Sequence, residues 1–348
     1  MTRYTALYIA GKTPKDQPYM IGMATAMIFP TIECLSIDQY RSFMRTAIKM
    51  VHFREGLGSV AKRNKWTAKV KGEGWHGYWI PFQDQLEKKS TAIDPNSVPL
   101  GSGCDMVAIA IHGGGYIEGD ALMFMHTYLA WMKSAQKDHN LKIGIVSVQY
   151  GLSPEHVYPH AMEEVIAAYK DLIKNHNINS SQIILLGDSA GGNICLGTSI
   201  MLRDAHSDLG SPAGLILICP WVRDPEPLES SMFDVVSAHG CEIYREAYTQ
   251  DHPETVMCPY TAPHSTPSLE GLPPMLFFIG GVEILRPSIE NFVARAREEG
   301  VDAKSVIAEG RPHNYFLLSD ISTKKDRDEA FREMSEFSIR AHDRFKKA

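Results

Sequence analysis

The chain lacks most of what would tie it to a metal, a bilayer span or a nucleic acid. Its six cysteines (Cys34, Cys104, Cys195, Cys219, Cys241, Cys258) are scattered. They form no CxxC pair and no Cys/His ligand spacing, so neither a disulfide framework nor a zinc site is favoured. Cys195 and Cys219 lie inside apolar runs and read as plain buried thiols. Basic residues do not dominate: 35 Lys and Arg stand against 41 Asp and Glu, a net charge of −6. The basic footprint of a nucleic-acid binder is therefore missing. No repeat, low-complexity tract or long charged block occurs. The most apolar early segment, Met20–Phe29, has ten residues, against the roughly 20 needed to cross a bilayer. It is expected to be a cap or core helix, with membrane contact left open and not favoured. The N-terminus reads as no signal peptide, because Lys12, Lys15 and Asp16 soon follow its short apolar stretch. A soluble, cytoplasmic protein is expected.

What is present is an ordinary globular composition, 44% hydrophobic and 22% charged over 348 residues. Residues 1–65 look mostly helical, with Ser36 as N-cap of a helix carrying Tyr40, Phe43, Met44, Ile48 and Val51 at helical spacing. Lys69–Phe82 turns strand-like and aromatic. From residue 105 short apolar runs alternate with helical stretches. The runs are Met106–Ile111, Ile143–Tyr150, Ile183–Gly187, Gly214–Cys219 and Met275–Gly280, with a last short strand at Ser305–Ala308. The helices fall near Ala161–Asn175, Gly191–Ala205 and Pro287–Glu299, with a further one at the C-terminus. Continuous apolar runs of this length suit strands buried on both faces, and the alternation implies a doubly wound, mostly parallel α/β sheet. Residues 221–272, with six prolines and a helical piece near Ser230–Thr249, break the rhythm and read as an insertion above the sheet.

Gly187-Asp188-Ser189-Ala190-Gly191 matches G-x-S-x-G, after a predicted strand and before a predicted helix. Taken alone, Ser189 could equally be a helix N-cap; a phosphate loop fits less well, since no P-loop lysine follows. "IHGGGYIEG" follows the Met106–Ile111 strand and bares backbone N–H groups, as an oxyanion requires. Gly113 and Gly114 N–H are expected as donors, with Ala190 N–H as the third. His112 is read as bracing the loop. A nucleophilic serine needs a base, and the base an orienting acid, in the order Ser, Asp/Glu, His. Glu283 follows the Met275–Gly280 strand. His313 follows the Ser305–Ala308 strand; the one later histidine, His342, lies in the C-terminal helix. Asp302 and Asp320 are worse-placed rivals to Glu283. Upstream loop and downstream partners together favour catalysis at Ser189.

"HGGGY", "GDSAGG", "YGLSPEHVYPHAMEE", "LPPMLFFIGGVEILR" and "PHNYF", in that order over roughly residues 70–345, resemble the hormone-sensitive-lipase-like branch of the α/β-hydrolases. The resemblance implies an α/β-hydrolase fold with a helical cap (residues 1–68 and about 221–272 over a catalytic domain 69–348) and carboxylesterase chemistry. It places the triad at Ser189, Glu283 and His313. The chain departs from the pattern where aspartate is usual and Glu283 stands, and at Gly151 and Ser153. The expected reaction is hydrolysis of a small or medium acyl ester through an acyl-enzyme at Ser189, with no metal or organic cofactor. Tyr116 and Trp221 are candidates to line the substrate pocket. Acyl transfer, cyclisation, lactonase or amidase chemistry would use the same residues. A pure receptor, such as the plant gibberellin receptor on this fold, is disfavoured because the histidine is present. A homodimer is left open.

Overall fold

The computed structural model describes residues 3–14, 16–23, 26, 35–54, 56–59, 63–82, 97–223, 233–250, 252–317 and 322–346. The centre is an eight-stranded sheet: β1 (Ala68–Gly72), β2 (Trp75–Ile80), β3 (Met106–Ile111), β4 (Ile143–Val148), β5 (Ile183–Asp188), β6 (Gly214–Ile218), β7 (Met275–Gly280) and β8 (Ala303–Ala308). The spatial order is β1-β2-β4-β3-β5-β6-β7-β8. All pairs from β4 to β8 are parallel, whereas β1 and β2 form an antiparallel hairpin laid against β4. The strand-like stretch Lys69–Phe82 thus forms most of two strands, turned at Glu73-Gly74.

The strands are apolar throughout because both faces are covered. Along β3 the side chains divide in alternation: Val107, Ile109 and Ile111 enter one core, Met106, Ala108 and Ala110 the other. The first core is closed by α4 (His160–Lys174), α5 (Ser189–Ala205) and α7 (Arg286–Glu298). The second is closed by α3 (Met125–His139) and α8 (Lys324–Lys346). Helix α3 was not marked out by the sequence reading. Its buried Tyr128, Trp131, Met132 and Ala135 recur at helical spacing, but the segment lacks a capping side chain to announce it.

Before the sheet lie α1 (Arg3–Ile9) and α2 (Ile37–Arg54). Ser36 and Gln39 close a reciprocal capping box at the start of α2, the Ser36 hydroxyl accepting the Gln39 N–H at 3.3 Å and the Ser36 N–H reaching Gln39 Oε1 at 3.0 Å. Arg41 on α2 donates to Ile117 O at 2.6 Å and forks onto Glu155 at 2.8 and 2.7 Å. After β6 comes α6 (Ala238–Thr249), started by Ser237, whose hydroxyl accepts the Gly240 N–H at 2.9 Å. Tyr244 of α6 stacks on Tyr40 of α2 at 5.9 Å. Parts of Met20–Phe29 and of the 221–272 insertion, including residues 230–232 of the helical piece expected there, lie outside the described residues. Among the described residues no helix is long and apolar enough to cross a membrane.

Candidate active site

The order of strand addition reverses at β3: β4 lies on one side of it and β5 on the other, all three parallel. Open α/β sheets bind ligands at the carboxyl ends of strands around such a reversal. Gly113 leaves β3 there, and Ser189 leaves β5.

Ser189 has φ +51°, a left-handed conformation rare for a residue with a side chain. The glycines around it are required by close approach. A Cβ on Gly187 would lie 2.4 Å from Gly191 O, and one on Gly191 would lie 2.2 Å from Ile111 O. The turn therefore folds strand, helix and β3 against one another and holds the serine in a strained position. Ala190 follows it in the first turn of α5, where N–H groups lack intrahelical acceptors.

Glu283 and His313 come together after β7 and β8. His313 Nδ1 lies 2.7 Å from Glu283 Oε2, and Glu283 Oε1 accepts the Gly280 N–H at 2.7 Å. Both residues are 3% exposed. The carboxylate fixes the tautomer, so Nδ1 carries the hydrogen and Nε2 is left as a base. Burial pulls the His313 pKa down. The Glu283 hydrogen bond, with the charges of Glu283, Asp234 and Asp188, outweighs this and holds the pKa above its ordinary value.

Two buried carboxylates that the sequence reading did not single out tie the parts together. Asp188, immediately before Ser189, accepts the Gly113 N–H on Oδ1 at 2.8 Å and the Asn314 side-chain amide on Oδ2 at 2.7 Å. It therefore joins the glycine loop, the serine turn and the histidine loop. Asp234 accepts the His313 N–H at 2.8 Å on one oxygen and the Ile284 N–H at 3.0 Å on the other. It fastens the segment after β6 to the loops that carry Glu283 and His313. Burial pushes each of these carboxyls up to about 6, against the hydrogen bonds and the His313 charge that lower it.

One expectation needs correction. The Gly113 N–H does not point to a vacant acceptor position, because Asp188 takes it. Among the described residues, no acceptor takes the Gly114 or Gly115 N–H. The exposed donors of the loop are thus shifted one residue along the chain. The reason is the Asp188 carboxylate, which fills the space beside Gly113: its Oδ2 would stand 2.4 Å from a Cβ there.

The loop is braced by His112, whose ring stacks on Tyr150 at 4.3 Å, while the Tyr150 hydroxyl donates to His112 O at 2.7 Å. Burial lowers the His112 pKa and keeps the ring neutral. Cys219 adds a thiol beside Glu283 and His313: its ligand atom and theirs all lie within 4.8 Å. That trio has the donor types of a metal site, but Glu283 and His313 are bonded to each other and burial holds the thiol protonated well above its usual range. Cys219 Sγ accepts the Asn314 N–H at 3.3 Å. Tyr116 and Trp221 face a pocket of about 170 Å³ lined also by Tyr248, Met257, Ala262 and His264. Tyr116 stacks on Tyr248 at 3.9 Å, and the Trp221 N–H donates to Ser189 O at 3.0 Å.

A family model described as the alpha/beta hydrolase fold matches residues 108–317. The chain belongs to this family. Solved structures share the fold over nearly its whole length. An esterase from the bacterial hormone-sensitive lipase family is 22% identical with a TM-score of 0.71, covering 92% of this chain and 98% of that one. An esterase/lipase from an uncultured bacterium is 21% identical at a TM-score of 0.69, covering 93% and 98%. The hyperthermophilic esterase of the archaeon Pyrobaculum calidifontis is 21% identical at 0.70, covering 88% and 94%. At these identities the likeness speaks for the fold. In this α/β-hydrolase, Ser189, the glycine loop and the Glu283–His313 pair occupy the loops at the carboxyl ends of β5, β3, β7 and β8.

Proposed function

We propose that the protein is a serine carboxylesterase acting on small or medium acyl esters through an acyl-enzyme at Ser189. One observation carries this reading. The buried Glu283–His313 pair, 2.7 Å apart, is linked through Asn314 and Asp188 to a serine held at positive φ on a strand-to-helix turn. Strain at the serine, an oriented imidazole and bare loop amides are the three things ester hydrolysis asks of a protein. The esterases that share its fold favour the same chemistry.

In the proposed reaction Ser189 Oγ attacks the ester carbonyl while His313 Nε2 takes its proton. Glu283 holds the imidazole and stabilises the imidazolium. The oxyanion is received by N–H groups of Gly114, Gly115 and Ala190. His313 then protonates the departing alcohol. Water, deprotonated by His313, attacks the acyl-enzyme and frees the serine. The pocket beside Tyr116 and Trp221 takes the acyl chain; its about 170 Å³ is below the ~300–1,000 Å³ that hold drug-sized ligands, which favours short acyl groups. The segments 1–68 and 221–272 act as a cap over this site, with Arg41 and Asp234 as their fastenings. We place the protein in the cytoplasm.

Fluorophosphonate labelling with mass mapping, followed by a p-nitrophenyl ester chain-length series, tests the reading. Label on Ser189 and turnover greatest on short chains are expected. Labelling elsewhere in the folded protein, or turnover of Ser189→Ala within tenfold of wild type, overturns it. Product analysis with added alcohols separates hydrolysis from acyl transfer.

A further inference from the structure

The chain carries net charge −6, yet between residues 36 and 71 nine Lys and Arg stand against only Asp38 and Glu55. This inversion coincides with an unusual exposure of apolar side chains on α2. Phe43, Met50 and Phe53 are 39, 68 and 80% exposed. Their spacing puts them, with Thr46, along one helical face. The opposite face is the packed one, where buried His52 bonds Leu122 O at 2.9 Å. Exposed Lys49 and Arg54 flank the apolar line. Beside it runs a groove of about 380 Å³ lined by Arg45, Lys49, Arg63 and Lys69, with Asp120 as the acid in that lining. Lys69 and Lys71 continue the positive surface along the edge strand β1.

We propose that this face docks the protein on an anionic phospholipid bilayer. Phe53 and Met50 enter the headgroup–acyl boundary, and the flanking cations and the groove meet lipid phosphates. Aromatic and aliphatic tips bracketed by Lys and Arg are the pattern of an interfacial helix. The charge asymmetry orients it: an acidic molecule with one basic face presents that face to a negative membrane. A second copy of the chain is a poor occupant, because pairing two such faces would set basic groove against basic groove. The same helix is part of the proposed cap and joins its second segment: Arg41 holds Ile117 O and Tyr40 stacks on Tyr244. The proposal rests on the surface and stands apart from ester hydrolysis.

Co-sedimentation with vesicles of phosphatidylglycerol and phosphatidylcholine, against pure phosphatidylcholine, tests it. Binding about tenfold stronger to the anionic vesicles is expected, falling about tenfold between roughly 50 and 500 mM NaCl. Met50→Ser with Phe53→Ser, and separately Lys49→Glu with Arg63→Glu, should each weaken it about tenfold with the thermal midpoint unchanged. Equal binding to neutral and anionic vesicles, no binding at low salt, or undiminished binding by the Met50/Phe53 variant overturns the proposal. So does sedimentation velocity showing that this variant turns a dimer into a monomer, since a second copy would then cover the face.

Discussion

The Asp188 carboxylate holds the Gly113 N–H at 2.8 Å across 75 positions of sequence, while its other oxygen holds the Asn314 amide at 2.7 Å. Two donors from two loops thus converge on one acid whose backbone leads into Ser189. An asparagine at 188 has one accepting oxygen, so its own amino group must face either Gly113 or Asn314. Asp188→Asn is expected to lower kcat/KM by about 10²–10³, the usual scale for losing an oxyanion donor, and stability by about 1–3 kcal/mol for the buried mismatch. Asp188→Asn with Asn314→Asp restores a donor opposite an acceptor. Thermal unfolding of the two single variants and the double measures the coupling. Simple additivity would show that the Asp188–Asn314 contact carries no weight.

Asp234 gives a second test, of how the histidine loop is held. Its carboxylate serves the His313, Ile284 and Val235 N–H groups. Asp234→Ala orphans buried donors at about 1–3 kcal/mol each, so a large fall in unfolding temperature is expected. Asp234→Asn keeps an acceptor and should fall less. Soluble-ester kinetics on both separate positioning from folding: kcat should drop with KM little changed. A rise in KM alone would argue that Asp234 shapes the substrate pocket instead.

The strands, most helices and the Glu283–His313 pair were legible in the sequence because each leaves a local mark. β3 and β7 match their apolar runs residue for residue, and Ser36 announces α2 by its capping box. Asp188 was visible only as a letter of the GDSAGG motif, and Asp234 not at all. Their partners lie 126 and 79 residues away, and a carboxylate that binds backbone N–H groups imposes no residue type on its partner. The free donors of the glycine loop were not legible for the same reason: which of three glycines is spent depends on an acid elsewhere in the chain.

Glu118 makes the alkaline limb testable. Burial, then the charges of Asp120 and Asp188, push its carboxyl up to about 8, against Arg45 and Arg41. Its Oε1 lies 2.8 Å from where a Cβ on Gly114 would stand, so it packs on the loop proposed to receive the oxyanion. Below about 8 it is neutral. Ionisation places a negative charge beside a developing negative charge. Activity should therefore fall as pH rises through about 8, and Glu118→Gln should flatten that limb. Because the folded pKa lies above the unfolded one, the stability linked to this group is present at low pH and lost as pH rises toward about 8. Urea unfolding at pH 5 and pH 9 should show a smaller loss in Glu118→Gln. An alkaline limb unchanged in that variant would place its origin elsewhere.

In the proposed reaction the acid limb rests on His313. Burial alone would lower its pKa, but the Glu283 hydrogen bond and the charges of Glu283, Asp234 and Asp188 prevail and raise it. The base must be neutral to take the Ser189 proton. The kcat/KM profile should therefore fall as pH drops through a midpoint above the ordinary histidine value of about 6.5. Glu283→Gln removes the negative charge and the fixed tautomer. It should move this midpoint down and cost about 10²–10⁴ in kcat at the plateau. The stability effect has the opposite direction to the rate effect. A histidine whose folded pKa is raised stabilises the fold as imidazolium; that contribution is complete below the unfolded pKa and is lost as pH rises through the folded one. Wild type should therefore lose more stability than Glu283→Gln across this window, while gaining activity. If Glu283→Gln leaves both the midpoint and the plateau where they are, the carboxylate 2.7 Å from Nδ1 is not the acid that orients the base.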